Sequence, residues 1–175
     1  MSKNIIVALL LFLISAIFIQ GCANKSGAEA LHEQREGGYE DEIEYYSKVI
    51  EDERNNTEQD CYCNRACAYM GTGEYAKAIE DCTRALQLNP YDADTYCNRG
   101  YSYYILGDYE KAIEDYEQTI ELNENNICAY HSRGIAYHKM NKYDKAIEDY
   151  TKVIELDPDN VKAYNNRASA LLAVV

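Results

Sequence analysis

Residues 93–126 read ADTYCNRGYSYYILGDYEKAIEDYEQTIELNENN, and residues 127–160 read ICAYHSRGIAYHKMNKYDKAIEDYTKVIELDPDN. The two stretches align without a gap and share the run Lys-Ala-Ile-Glu-Asp. The same spacing of 34 residues separates four tyrosines and four arginines: Tyr62, Tyr96, Tyr130, Tyr164 and Arg65, Arg99, Arg133, Arg167. A fixed period of this length is typical of stacked supersecondary units, so it predicts a solenoid.

Each period contains two segments in which apolar residues recur at helical spacing. Gly73, Gly107 and Asn141 separate the two segments in successive periods. Glycine and asparagine best tolerate the left-handed conformation that ends a helix. Because each segment is too short to form a stable helix alone in water, neighbouring units must bury its apolar face. The pattern therefore predicts an all-α solenoid of helix-turn-helix units.

These units resemble the tetratricopeptide repeat family, whose signature positions can be matched one at a time. Aromatic residues stand at the fourth position, as the tyrosines quoted above. Small residues stand at the eighth and twentieth positions: Ala66, Gly100, Gly134, Ala168 and Ala78, Ala112, Ala146. A proline near the end of the unit is present as Pro90 and Pro158. The resemblance implies a tetratricopeptide solenoid that displays a surface for partners.

The predicted organisation has seven segments. They are a lipoprotein signal peptide (1–21), a lipidated tether (22–27), a degenerate N-terminal repeat (28–58), three repeats (59–92, 93–126 and 127–160), and a partial repeat or C-terminal helix (161–175). The degenerate repeat is two residues out of phase with the others. The last segment supplies a first helix with an apolar end, so we expect it either to pack against another molecule or to belong to a longer array.

The N-terminal residues have the features of an export signal. Lys3 precedes an apolar run over residues 5–19, and Gly21-Cys22 follows. The residues before Cys22 resemble the lipobox of bacterial lipoproteins, which implies lipidation of Cys22. The alternative is an uncleaved anchor helix. Both readings predict an exported protein held to a bacterial membrane, on the periplasmic face or the cell surface.

The formal net charge is -13, with acidic residues spread along the chain. A chain this acidic should be repelled by phosphate backbones, which argues against nucleic acid as a partner. We therefore expect protein or peptide partners that are basic or amphipathic. No enzyme motif is present, and acidic pairs such as Glu80-Asp81 recur with the repeat, as solvated helix faces do. The sequence predicts no catalytic residue and no cofactor.

In the family, ligands lie in a groove lined by the first helices. The positions implied here are Asp60, Cys63, Cys67, Met70, Asp94, Cys97, Tyr101, Tyr104, Cys128, His131, Ile135 and His138, followed by Lys162, Asn165, Ser169 and Leu172 in the last unit. Relatives that clamp a C-terminal carboxylate use Lys, Asn and Arg at such positions, so that activity is not expected here. Tyr101 and Tyr104 are the best candidates for partner contact, because tyrosine is enriched at interface hot spots.

Four cysteines fall on this predicted groove, and three interpretations of them remain open. Disulfides form readily in exported proteins. Thiolate and imidazole groups suit soft metals, although the spacing does not match a closed metal site, and we predict none. The third interpretation is plain lining of the groove, with Cys61 and Cys82 as core residues.

The repeated arginines are expected to pair with repeated aspartates. Asp81, Asp115 and Asp149 keep register with them, and buried arginines generally need a carboxylate. We expect each aspartate to pair with the arginine of the following unit. The leading function is a membrane-anchored scaffold or adaptor for protein interactions. The alternatives are thiol or metal chemistry in the groove, and a structural spacer that self-associates through its C-terminal helix.

Overall fold

The computed structural model describes residues 38–51 and 58–174. The predicted signal peptide, the predicted lipidation site Cys22, the predicted tether and the predicted first helix of the degenerate repeat lie outside these residues. The described part contains eight α-helices and no strand: α1 Gly38–Glu51, α2 Glu58–Thr72, α3 Tyr75–Leu88, α4 Ala93–Ile105, α5 Tyr109–Leu122, α6 Ile127–Lys139, α7 Tyr143–Leu156 and α8 Val161–Val174. The prediction of an all-α solenoid is confirmed.

Tight turns join the two helices of each unit at the predicted residues. Gly73, Gly107 and Asn141 have φ values of 82°, 85° and 58°, all in the left-handed region. Residues before the next unit then cap its first helix. The Asp92 side chain accepts a hydrogen bond from the Asp94 amide, and the Asn126 side chain accepts one from the Ala129 amide at 2.9 Å. These caps satisfy amides that lack a partner within the helix.

Gly107 provides a direct test of the turn. An alanine there should lower the free energy of unfolding by about 1 kcal/mol, because a Cβ atom is unfavourable in the left-handed region. Space is not the obstacle, since a Cβ at Gly107 would meet nothing within 4 Å. Asn141→Gly is the matched control and should be neutral or slightly stabilising. Equal urea midpoints for Gly107→Ala and the unsubstituted chain would contradict this explanation.

The helices stack in chain order, and the first helices also contact one another. Each helix packs against the next, while α2 contacts α4, α4 contacts α6, and α6 contacts α8. Small residues allow the close approach of the two helices within a unit. Ala66 and Ala78 are completely buried, and the Tyr116 and Tyr150 rings fill the space left by Gly100 and Gly134. The first helices therefore form one continuous face, which we call the groove face.

Helix α1 packs on α2 as the second helix of a unit would. The Tyr39 ring lies over Gly71, where a Cβ atom would come within 2.6 Å of it. Ser47 accepts a hydrogen bond from Arg65 Nη1 at 3.1 Å, and Thr83 accepts one from Arg99 Nη1 at 3.2 Å. No helix in residues 38–51 or 58–174 is both long and apolar enough to cross a membrane.

The arginine–aspartate pairs form, but within one unit. Three arginines each donate two hydrogen bonds to the aspartate sixteen residues later: Arg65 to Asp81, Arg99 to Asp115, and Arg133 to Asp149, at 2.6–2.9 Å. The prediction of pairing with the following unit was therefore wrong. The two helices of one unit pack antiparallel, and this places the aspartate opposite the arginine of its own unit. Arg65 and Arg99 instead reach the preceding second helix through a hydroxyl.

Candidate functional site

The predicted groove residues differ in how far they are accessible on the groove face. Asp60 and Asp94 are exposed, whereas Met70 and Cys97 are only 4% and 9% exposed. The other predicted residues of the first three units are half-buried: Cys63, Cys67, Tyr101, Tyr104, Cys128, His131, Ile135 and His138. A partner on this face would therefore touch the half-buried side chains, with Met70 and Cys97 beneath them.

Aromatic side chains run along the edge of the groove face. Tyr101 makes an edge-on contact with Tyr75, with ring centroids 6.2 Å apart. A tilted contact joins Tyr104 to Tyr109 at 5.6 Å, and an edge-on contact joins His138 to Tyr143 at 5.1 Å. We call this set the aromatic row: Tyr75, Tyr101, Tyr104, Tyr109, His138 and Tyr143. Its half-buried rings offer a surface of the kind that interface hot spots use.

Sequence reasoning missed three members of the aromatic row. Tyr75, Tyr109 and Tyr143 are not among the groove positions that the family resemblance implies, because they lie on the second helices. They are the first residues of those helices, directly after the tight turn, and the turn brings each one back toward the groove face. Their place two residues after the left-handed residue was the signal that could have identified them.

The N-terminal end of the groove face is acidic and tightly hydrogen-bonded. Asp92 Oδ2 accepts hydrogen bonds from Thr95 Oγ1 at 2.6 Å and from Gln59 Nε2 at 3.2 Å. Partial desolvation of its carboxylate raises the pKa of Asp94, and the negative charge of Asp92 raises it further. The exposed Asp60 adds a third carboxylate to this region. Mutual repulsion among these acids makes a nearby positive charge favourable.

The third unit contributes two histidines with different environments. The Asn166 side-chain nitrogen lies 3.0 Å from His131 Nε2. An amide nitrogen can only donate, so this contact suits a neutral His131 ring with its proton on Nδ1. Burial also lowers the pKa of His131. The Nε2 atom of His138 is buried and has no hydrogen-bond partner in the part of the chain that the structure describes.

The six cysteines of the described residues divide into core and groove positions, and none is in a disulfide. Cys61 and Cys82 are 8% and 1% exposed, which confirms them as core residues. Burial raises the pKa of Cys63 to about 11, and its sulfur lies 3.0 Å from Thr95 Oγ1. No group of three or more His, Cys, Asp or Glu side chains within 38–51 and 58–174 is arranged to hold a metal ion.

Helix α8 exposes several apolar side chains at its C-terminal end. Leu171, Leu172 and Val174 are 50%, 80% and 54% exposed. The last unit's groove positions are all exposed too: Lys162, Asn165, Ser169 and Leu172. This end of the solenoid therefore presents an apolar surface beside a polar one.

Models of the tetratricopeptide repeat match residues 60–92, 93–126, 127–160 and, in a second version, 149–174. The first repeat domain of Spaghetti (RPAP3), bound to the HSP90 peptide SRMEEVD, is 28% identical over 69% of this chain and 95% of that one, with a TM-score of 0.66. MamA is 29% identical over 77% of this chain and 78% of its own (TM-score 0.73). The Sgt2 repeat domain from Aspergillus fumigatus is 28% identical over 68% and 80% (TM-score 0.63). No curated protein matches this chain.

Proposed function

The chain belongs to the tetratricopeptide repeat family, and from that premise we propose that it is an interaction scaffold that binds a segment of a partner protein on its groove face. The observation that carries the proposal is the aromatic row. Its half-buried rings lie on contiguous first helices and at the starts of the second helices. The RPAP3 domain in complex with an HSP90 peptide supports peptide binding as the activity of this fold.

The proposed partner is a basic or amphipathic segment. Asp60, Asp92 and Asp94 give the N-terminal end of the groove face a negative charge, and the whole chain carries -13. Apolar side chains of the partner would pack on Tyr101 and Tyr104, while its Lys or Arg residues would meet the carboxylates. Charge complementarity of this kind favours fast and selective association. Nucleic acid is disfavoured by the same charge.

The proposed location is a bacterial membrane, with the protein exported and lipid-anchored through Cys22. The support is the sequence before Cys22: a positive residue, an apolar run and Gly21. A lipid on Cys22 would hold the repeats near the membrane without a spanning helix in the folded part. In that position the scaffold would act as an adaptor of the cell envelope.

A second candidate function is self-association through α8. The exposed Leu171, Leu172 and Val174 are the observation that favours it. A second copy would cover this apolar surface, and the protein would then act as a structural spacer. The experiment below separates the two functions.

A photo-crosslinking residue in place of Tyr101, in the full chain in its native membrane, tests the scaffold. We expect one dominant adduct with a different protein, and no such adduct when the crosslinker replaces the exposed Glu114. For the partner so identified, Tyr101→Ala should weaken binding by roughly 10-fold or more, as the loss of a hot-spot aromatic does. Tyr91, which is 79% exposed, gives the matched control, and Tyr91→Ala should leave affinity unchanged. Self-adducts alone would favour the spacer.

A further inference from the structure

Two cysteines from consecutive repeats meet at the groove face. Cys97 lies on α4 and Cys128 on α6, two first helices that contact each other. Cys128 packs against the cluster that Cys97 forms with Ala112 and Tyr116, so the two cysteines are neighbours across the junction between the repeats. Cysteine side chains are small. Two helices that pack through them can therefore approach closely enough for a sulfur–sulfur bond.

The preceding unit shows what is specific to this pair. Cys63 is equivalent to Cys97, 34 residues earlier, and Asp94 is equivalent to Cys128. Cys63 has the Thr95 hydroxyl 3.0 Å away and a carboxylate at the position that Cys128 occupies in the next unit. The same fold therefore places a thiol beside a thiol at one junction between repeats, and a thiol beside hydroxyl and carboxylate groups at the junction before it.

We propose that Cys97 and Cys128 are a redox modification site that forms a disulfide between repeats by exchange with a dialkyl disulfide. The half-buried Cys128 is the accessible partner and reacts first. Its thiolate attacks the reagent RSSR, which gives a mixed disulfide and one RS⁻. The Cys97 thiolate then attacks the Cys128 sulfur and releases the second RS⁻. The two cysteine protons and two electrons thus pass to the reagent, which leaves as two RSH.

The bridge would join α4 to α6 and enclose the whole of α5 in a covalent loop. Such a loop stabilises the fold mainly by restricting the unfolded chain. It would also fix the spacing between α6 and α4, the helix that carries Tyr101 and Tyr104, so the shape of the groove face would depend on redox state. Reaction should be slow at neutral pH, because the neighbouring Cys128 side chain and burial both raise the pKa of Cys97.

Oxidised glutathione added to the folded full chain tests the site. We expect a product lighter by two hydrogens, peptides containing Cys97 and Cys128 joined in a digest, and a Tm higher by several degrees. Cys128→Ala should abolish the joined peptides while the circular dichroism spectrum stays that of a helical solenoid. The matched control is Cys63→Ala, which removes the equivalent thiol of the preceding unit and should leave the bridge intact.

Two results would overturn the proposal. One is glutathione held on Cys128 with Cys97 still a thiol, since this shows that the second exchange cannot occur. The other is a bridge that joins different cysteines, such as Cys63 and Cys67 within α2. Neither result depends on whether the groove face binds a partner, so the redox site and the scaffold function can fail separately.

Discussion

Asp115→Ala is expected to lower the free energy of unfolding by about 3–5 kcal/mol, the range for removing one partner of a buried ion pair. Asp115 accepts hydrogen bonds from Arg99 Nε at 2.9 Å and Nη2 at 2.7 Å, and the two side chains are 6% and 18% exposed. Without the carboxylate, the guanidinium would remain between α4 and α5 with the Thr83 hydroxyl as its hydrogen-bond acceptor. Urea titration followed by circular dichroism measures the loss.

Two variants show whether the loss comes from an uncompensated charge. Burial raises the pKa of Asp115, although Arg99 opposes this, so the carboxylate is costly to bury in its charged form. Replacing both partners with leucine should therefore recover most of the stability that Asp115→Ala loses. Arg99→Leu alone should also destabilise the fold, because it leaves Asp115 charged without a counterion.

Arg167 is the matched control in the last unit. It stacks on Tyr164, with 5.5 Å from Cζ to the ring centroid, and bonds to the Thr151 hydroxyl at 3.4 Å, much as Arg99 contacts Tyr96 and Thr83. It makes no ion pair with any residue in the described ranges. Arg167→Leu should therefore change stability by no more than about 0.5 kcal/mol. An equal effect of Arg167→Leu and Asp115→Ala would mean that the pair is not what stabilises the unit.

The error about these pairs shows which part of a repeat fold can be predicted from the sequence. The 34-residue period established the register, the turn residues and the residue types that would pair. It could not choose between an aspartate of the same unit and one of the preceding unit, because both recur with the same period. The choice depends on the packing angle between two helices, and the sequence pattern alone does not give that angle.

Sequence-based prediction of the groove face has a similar limit. Spacing assigned Tyr101 and Tyr104 to the groove face, and both side chains are half-buried. The spacing did not distinguish the buried Met70 and Cys97 from the half-buried residues of the same face, because burial depends on contacts from the adjoining helices. The Cys97–Cys128 contact was missed for the same reason. It joins different positions of two units, so no single-repeat pattern displays it.

Tyr150→Cys is expected to lower the free energy of unfolding by about 3 kcal/mol, because it opens a cavity where a fully buried ring packs between α6 and α7. The ring is 1% exposed and lies over Gly134, where a Cβ atom would come within 2.8 Å of it. Gly134→Ala should also destabilise, by on the order of 1 kcal/mol, since overpacking outweighs the helix propensity gained. Each substitution alone therefore weakens the contact between residues 134 and 150: one removes the ring, and the other adds a methyl group where the ring packs.

The double variant Gly134→Ala/Tyr150→Cys should lose less free energy of unfolding than the two single variants lose in total, by at least about 1 kcal/mol. The chain already contains this combination in its first complete unit, where the equivalent residues are Ala66 and Cys82, at 0% and 1% exposed. The methyl group of the new alanine would occupy part of the space that the ring leaves. A double-mutant cycle from urea titrations measures the coupling. If the two losses simply add, the need for a small residue at position 134 comes from the close approach of the helix backbones and not from the Tyr150 ring.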